Sequence, residues 1–199
     1  ARDVAKAVDK LDDLADGARA VDKANDARRG AGRLVTKYGD DGARIADEYG
    51  EYAGDILQTF DQIAHVKGSD QLMKDLLSGS RTTRQGALSE LGYAASLQKR
   101  GFELEKVGDV INGKKAGDIV VKNGPVIDVK DYNWNAASYQ SERGLQRTAD
   151  RMVRQAQKHQ ERYPGREIEF AFTENPPQAI ADALKNAGVK VTKVTWPAQ

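Results

Sequence analysis

The chain has 199 residues, 39% of them hydrophobic and 31% charged, with a formal net charge of +1. That composition allows one globular domain or two small ones and does not carry the signature of a disordered chain. The absence of cysteine excludes disulfides and thiolate metal sites, so a bound metal must rest on oxygen or histidine ligands. No apolar run approaches the roughly 18 residues of a membrane span, and no signal peptide is visible, so no stable membrane insertion is expected. The near-zero net charge hides an asymmetry. Residues 1–80 carry 12 basic and 16 acidic side chains (net −4), whereas residues 81–199 carry 19 and 14 (net +5). A basic half points to a polyanionic partner.

Residues 1–77 contain no proline and read as helical. Apolar positions recur at helical spacing through Val4, Ala7, Val8, Leu11, Leu14 and Ala15, and again through Ile45, Tyr49, Tyr52, Ile56, Phe60 and Ile63. Nothing in this segment looks catalytic, and His65 reads as an ordinary helix-end histidine. Ser78-Gly79-Ser80 forms a joint. Thr82 and Gln85 have the spacing of a capping box, and the helix they open runs to about Arg100, with Gly101 at its end.

The period then changes to two. Phe102 and Leu104 alternate with Glu103 and Glu105, which predicts a strand. Asp118–Lys122 and Val126–Lys130 read as two more strands around an Asn-Gly turn. A long amphipathic helix is predicted from about Ser138 to Tyr163, then a strand at Ile168–Phe172. A helix opened by Pro176-Pro177 and a last strand at Val189–Val194 follow. From residue 82 the order is α-β-β-β-α-β-α-β, an α+β arrangement with a mixed sheet.

Asp128 and Lys130 are two apart on a strand and must share a face, while Ile127 and Val129 point the other way. A three-residue loop, Asn123-Gly124-Pro125, would pair Lys122 with Val126, Val120 with Asp128 and Asp118 with Lys130. All three chemical groups then meet on one face, whereas a one-residue slip would turn Asp118 away. Carboxylates so placed can hold Mg²⁺ or Mn²⁺, with Zn²⁺ as a further fit. The ion polarises a phosphoryl oxygen and acidifies bound water, and a lysine beside it stabilises developing charge. Glu90, on the preceding helix, is the third candidate carboxylate.

Glu90, Gly117-Asp118 and Asp128-Val129-Lys130, in this element order, resemble the PD-(D/E)xK nuclease superfamily, whose fold is restriction-endonuclease-like. The resemblance covers roughly residues 82–199. It implies metal binding by Glu90, Asp118 and Asp128 and catalysis by these residues with Lys130. Gly117 stands where the motif's name has proline.

The amphipathic helix adds Arg143, Arg147, Arg151, Arg154, Lys158 and Arg162, which fall within an arc of about 100°. The first five are the candidate nucleic-acid contacts. The same fold often takes a polar side chain from this helix into the site, with Gln146, Arg147, Arg151 and Gln155 as candidates. Tyr132 and Trp134 could stack on bases or pack against the helix.

An acidic helical segment without chemistry, residues 1–77, joined to a compact nuclease at 82–199, resembles the C-terminal toxin region of bacterial polymorphic toxins, including contact-dependent growth inhibition toxins. The start at Ala1 suits a piece of a longer protein. This resemblance implies a helical delivery domain, a secreted or surface-delivered fragment acting in the target-cell cytoplasm, and a cognate acidic immunity protein. Cleavage of tRNA or other RNA is the favoured expectation. A DNase toxin, or a repair or resolvase-like nuclease using the same site on DNA, is the alternative.

Overall fold

A computed structural model of the chain describes residues 30–111 and 114–194. Val4, Ala7, Val8, Leu11, Leu14 and Ala15, the first predicted helical stripe, lie outside the described residues. The chain divides into two compact units, residues 1–58 and 59–199.

In the first unit residues 30–37 are helical, followed by α1 (Gly39–Tyr49). A single turn of 3₁₀ helix at Gly50–Tyr52 separates α1 from α2 (Ala53–Ile63), within which the unit boundary falls. That turn shifts the phase of the apolar stripe. Ile45 and Leu57 are buried, while Tyr52, predicted to lie on the stripe, is exposed.

In the second unit α3 (Ser69–Leu76) precedes α4 (Arg81–Lys99). Leu72 and Leu76 of α3 are fully buried. Lys67, just before α3, forms a parallel bridge to Lys106 of β1 (Leu104–Ile111), and its carbonyl accepts the Val107 N–H at 2.9 Å. The chain approaches β1 so closely at Gly68 that an added Cβ would stand 2.0 Å from the Val107 carbonyl oxygen. The division of contacts therefore falls earlier in the chain than the composition break at residues 78–80. The N-cap of α4 is Ser80, whose Oγ accepts the Thr83 N–H, and not Thr82. Ser80 has the extended backbone a cap requires.

Then come β2 (Lys114–Val121), β3 (Val126–Lys130), α5 (Glu142–Arg162), β4 (Ile168–Phe172), α6 (Gln178–Asn186) and β5 (Lys190–Lys193). The predicted order holds, and the architecture is α+β with a mixed sheet. The sheet runs β1-β2-β3-β4-β5, antiparallel from β1 to β3 and parallel from β3 to β5. The α5 helix starts at Glu142, later than predicted, because Ser141 caps it by accepting the Gly144 N–H.

Two helical layers cover the sheet. Val120, Val126, Ile168, Phe170 and Phe172 pack with Ala149, Met152 and Ala156 of α5 and Ile180 and Leu184 of α6. Each large side chain so buried contributes about 1.5–3 kcal/mol. Strand alternation sends the neighbouring residues to the other face, where α4 lies. There Tyr93 of α4 reaches Glu169, and Ser89 reaches Asp131.

The β2–β3 register differs from expectation. Val120 pairs with Val126 and Ile119 with Ile127, two residues away from the predicted pairing. The Gly124 N–H donates to the Val121 carbonyl and the Val121 N–H to the Pro125 carbonyl, so the turn is centred one residue earlier than predicted. Asn123 supplies the left-handed turn residue, at φ 54°. A slip of two preserves which side chains share a face.

Candidate active site

Beyond Ile119 and Ile127 the β2–β3 ladder gives way to a side chain. Asp118 Oδ2 accepts the Val129 N–H at 2.7 Å, in place of a strand-to-strand bond. This places the Asp118 carboxyl at the carboxyl-terminal end of β3, on the face covered by α5. There it neighbours the Asp128 carboxyl.

Asp128 is 4% exposed and is surrounded by donors. Lys130 Nζ stands 2.8 Å from its Oδ1. Oδ2 meets His159 Nε2 at 3.0 Å and also accepts from Gln155 Nε2. The other end of the Gln155 amide accepts from Lys130 Nζ at 3.0 Å, which closes a ring of three side chains. Lys130 also sits 5.0 Å above the Phe170 ring centroid, a cation–π contact. Burial works to raise the Asp128 pKa. The charge of Lys130 and the hydrogen bonds from His159, Asp118 and Lys130 outweigh it, so the carboxyl is held well below the usual carboxylate range.

The residues named from sequence are placed as follows. Asp118, Asp128 and Lys130 come together. Glu90 is buried on α4, and its Oε1 accepts the Gly108 N–H of β1 at 2.9 Å. Among the described residues no group of three or more His, Asp or Glu side chains stands at metal-ligand spacing. Arg143, Arg147, Arg151, Arg154 and Lys158 are all exposed along α5. Of the four candidates for the helix contribution, Gln155 is the one at Asp128 and Lys130. Gln146 instead donates to Asp150, and Arg151 to the Tyr132 hydroxyl.

His159 was not foreseen. It is 2% exposed, and its Nδ1 is buried without a hydrogen-bond partner. Its place one helical turn after Gln155, between the cation stripe and the apolar side of α5, was the only sequence signal for it. One turn further on, the Tyr163 hydroxyl donates to Asp109 of β1, whose Oδ2 also lies 3.4 Å from Lys106 Nζ.

No protein-family model matches this chain, and no curated protein or solved structure matches it.

Proposed function

We propose that residues 59–199 form a divalent-metal-dependent nuclease that hydrolyses phosphodiester bonds. The observation that carries this reading is the Asp118–Asp128 pair with Lys130 at 2.8 Å, on a face flanked by exposed arginines.

The donor set suits a hard cation. Two neighbouring carboxylates repel each other unless a proton or a cation lies between them. Mg²⁺ commonly takes one or two protein carboxylates and completes its shell with water and substrate phosphate oxygens. Asp118 and Asp128 would hold it, and Mn²⁺ fits the same donors. Bound there, the ion would acidify water and polarise the phosphoryl group. Lys130 places its ammonium beside Asp128, where it stabilises the charge that builds on phosphate as water adds and the ester P–O bond breaks. Gln155 and His159 hold Asp128 from the helix side and keep bulk water from it. The exposed arginines of α5 bind the flanking phosphates.

The test is incubation of the purified protein with tRNA, total RNA and plasmid DNA, with Mg²⁺, with Mn²⁺ and in excess EDTA. Cleavage is expected only with metal, and is abolished in folded Asp128→Ala and Lys130→Ala proteins. Undiminished cleavage by folded Asp128→Ala, or by the wild type in EDTA, rejects the mechanism. If the nuclease is a toxin, its expression in bacterial cytoplasm stops growth. A small acidic immunity protein covering the α5 cations then restores it. Harmless expression of the active enzyme removes the toxin role and leaves the chemistry standing.

A further inference from the structure

Between Lys130 and α5 the chain places three aromatic residues in residues 131–141: Tyr132, Trp134 and Tyr139. Tyr132 and Trp134 stack, with centroids 4.9 Å apart and planes at 11°. Tyr139 meets both rings edge-on. Trp134 belongs to the core. It is 9% exposed, packs on Phe172 at 6.1 Å, and its Nε1 donates to the Glu174 carbonyl. Tyr132 is half-buried, and its ring is backed by the buried Trp134.

Arg151 lies beside it. Its guanidinium donates to the Tyr132 hydroxyl at 3.1 Å and stands 6.0 Å from the ring centroid. Arg151 also belongs to a row of residues four apart: Arg143, Arg147, Arg151, Gln155 and His159. Such a row turns by about 40° per step around the helix. That is why its first three members are exposed cations, Gln155 touches Asp128 and Lys130, and His159 is buried. The row leads from the surface to the site, and Tyr132 flanks its last cation two residues beyond Lys130.

We infer that this is a stacking platform for an unpaired base, and that the substrate of the proposed nuclease is single-stranded or looped nucleic acid. The inference rests on the nuclease reading. Phosphates follow Arg143, Arg147 and Arg151 toward Lys130, and one base leaves its neighbours to lie against Tyr132. A duplex, whose base faces are covered by its own stack, offers nothing to that ring. Stacking on an aromatic face is tolerant of base identity, so the platform selects strandedness and not sequence.

The test is fluorescence anisotropy in EDTA, so that binding is read without cleavage. The probe is a fluorescein-labelled oligonucleotide of about 15 nucleotides, single-stranded and annealed to its complement. The wild type is expected to bind the single strand more tightly than the duplex. Tyr132→Ala and Tyr132→Leu should weaken single-strand binding about 5- to 150-fold and leave duplex binding nearly unchanged, while Tyr132→Phe keeps the preference. In a Trp196→Phe background, where Trp134 is the one tryptophan left, emission should change on adding single strand and should not change when Tyr132→Leu, which removes the ring, is added. Equal binding of both probes by the wild type overturns the platform, as does unaltered single-strand binding by the folded Tyr132 variants or no binding to either probe. Strand-selective binding with no cleavage in Mg²⁺ or Mn²⁺ would instead remove the nuclease reading and keep the platform.

Discussion

Asp128 and Glu169 lie on opposite faces of adjacent strands, and both are buried carboxylates saturated with donors. Glu169 takes the Tyr93 hydroxyl at 3.0 Å, the Thr192 hydroxyl at 2.8 Å and Lys190 Nζ at 3.1 Å. Asp128 takes Lys130, Gln155 and His159. Burial and donor count alone therefore do not tell a structural carboxylate from a chemical one. Three differences support the proposal that Asp128 is the chemical one. Asp128 has a second carboxyl, Asp118, beside it. Its lysine partner is buried, with the side chain 10% exposed, whereas Lys190 is a surface group at 49%. Its histidine partner leaves a buried nitrogen unpaired, a cost native proteins tolerate at few places. The Glu169 network runs out through Lys190 to the exposed Glu167, whereas the Asp128 ring lies beside the cations of α5.

The sharpest way to break this contrast is to neutralise each carboxylate in turn at constant shape. Asp128→Asn is expected to lower metal-dependent cleavage by at least about 100-fold, the scale of losing one electrostatic element of a phosphoryl-transfer site. Glu169→Gln should leave cleavage intact and cost about 1–3 kcal/mol of stability in urea denaturation, the usual effect of weakening a buried hydrogen-bonded group. Loss of cleavage in a folded Glu169→Gln protein, or its retention in Asp128→Asn, would show that the comparison has the two faces the wrong way round.

A smaller effect is expected one shell out. His159 Nε2 donates to Asp128 and Tyr93 donates to Glu169, so each can be deprived of its donor. His159→Leu should weaken Mn²⁺ binding, measured by calorimetry, about 10- to 100-fold, as loss of a partner that orients a metal-bound carboxylate does. His159→Gln restores an N–H at a similar reach and should recover most of that affinity. Tyr93→Phe should leave Mn²⁺ binding unchanged and cost about 1 kcal/mol of stability. Identical Mn²⁺ affinity in wild type and folded His159→Leu would reduce His159 to a packing residue.

The Asp128 side of this contrast was partly visible in the sequence, and the Glu169 side was not. The period-two run at Phe102–Glu105, the apolar stretches at Val126–Lys130 and Ile168–Phe172 and the long amphipathic helix indicated the element order, because apolar content and helical spacing are local. Asp118 and Asp128 could be placed on one face because only parity matters. The actual pairing, Val120 with Val126, depended on where the turn is centred, which an Asn-Gly signal does not specify. Glu90 could be put on a helix, but its engagement with the Gly108 N–H is a contact 18 residues away along the chain. The same holds for α3, whose Leu72 and Leu76 are fully buried within the second unit although the composition changes only after Leu77. His159 escaped because a histidine between a charged stripe and an apolar one has no signature until its partner strand is in place.

The smallest expected effect uses pH to separate the two faces. A carboxyl held below its ordinary pKa stabilises the fold above about pH 4 and loses that contribution as pH falls through its folded value. Asp128 is such a group, so the acid limb of the stability curve belongs in part to the site face. Tyr93 behaves oppositely. Burial, then the charge of Glu169 and its hydrogen bond, push the phenol up, so its contribution is complete below about pH 10 and is lost as pH rises through the folded value. Lys190, raised by its hydrogen bond to Glu169 and by that carboxylate's charge, also holds its contribution below about pH 10 and loses it at higher pH. Tyr163 adds to this limb from the site side, raised by burial and then by its bond to Asp109. Urea midpoints measured across pH should therefore respond selectively. Asp128→Asn is expected to flatten the limb below pH 4 and leave the alkaline one alone. Tyr93→Phe should flatten only part of the limb above pH 10, because Lys190 and Tyr163 remain. An acid limb unchanged in Asp128→Asn would mean that the buried network around Asp128 does not hold its charge in the folded protein, and the site would lose the fixed negative group on which cation binding depends.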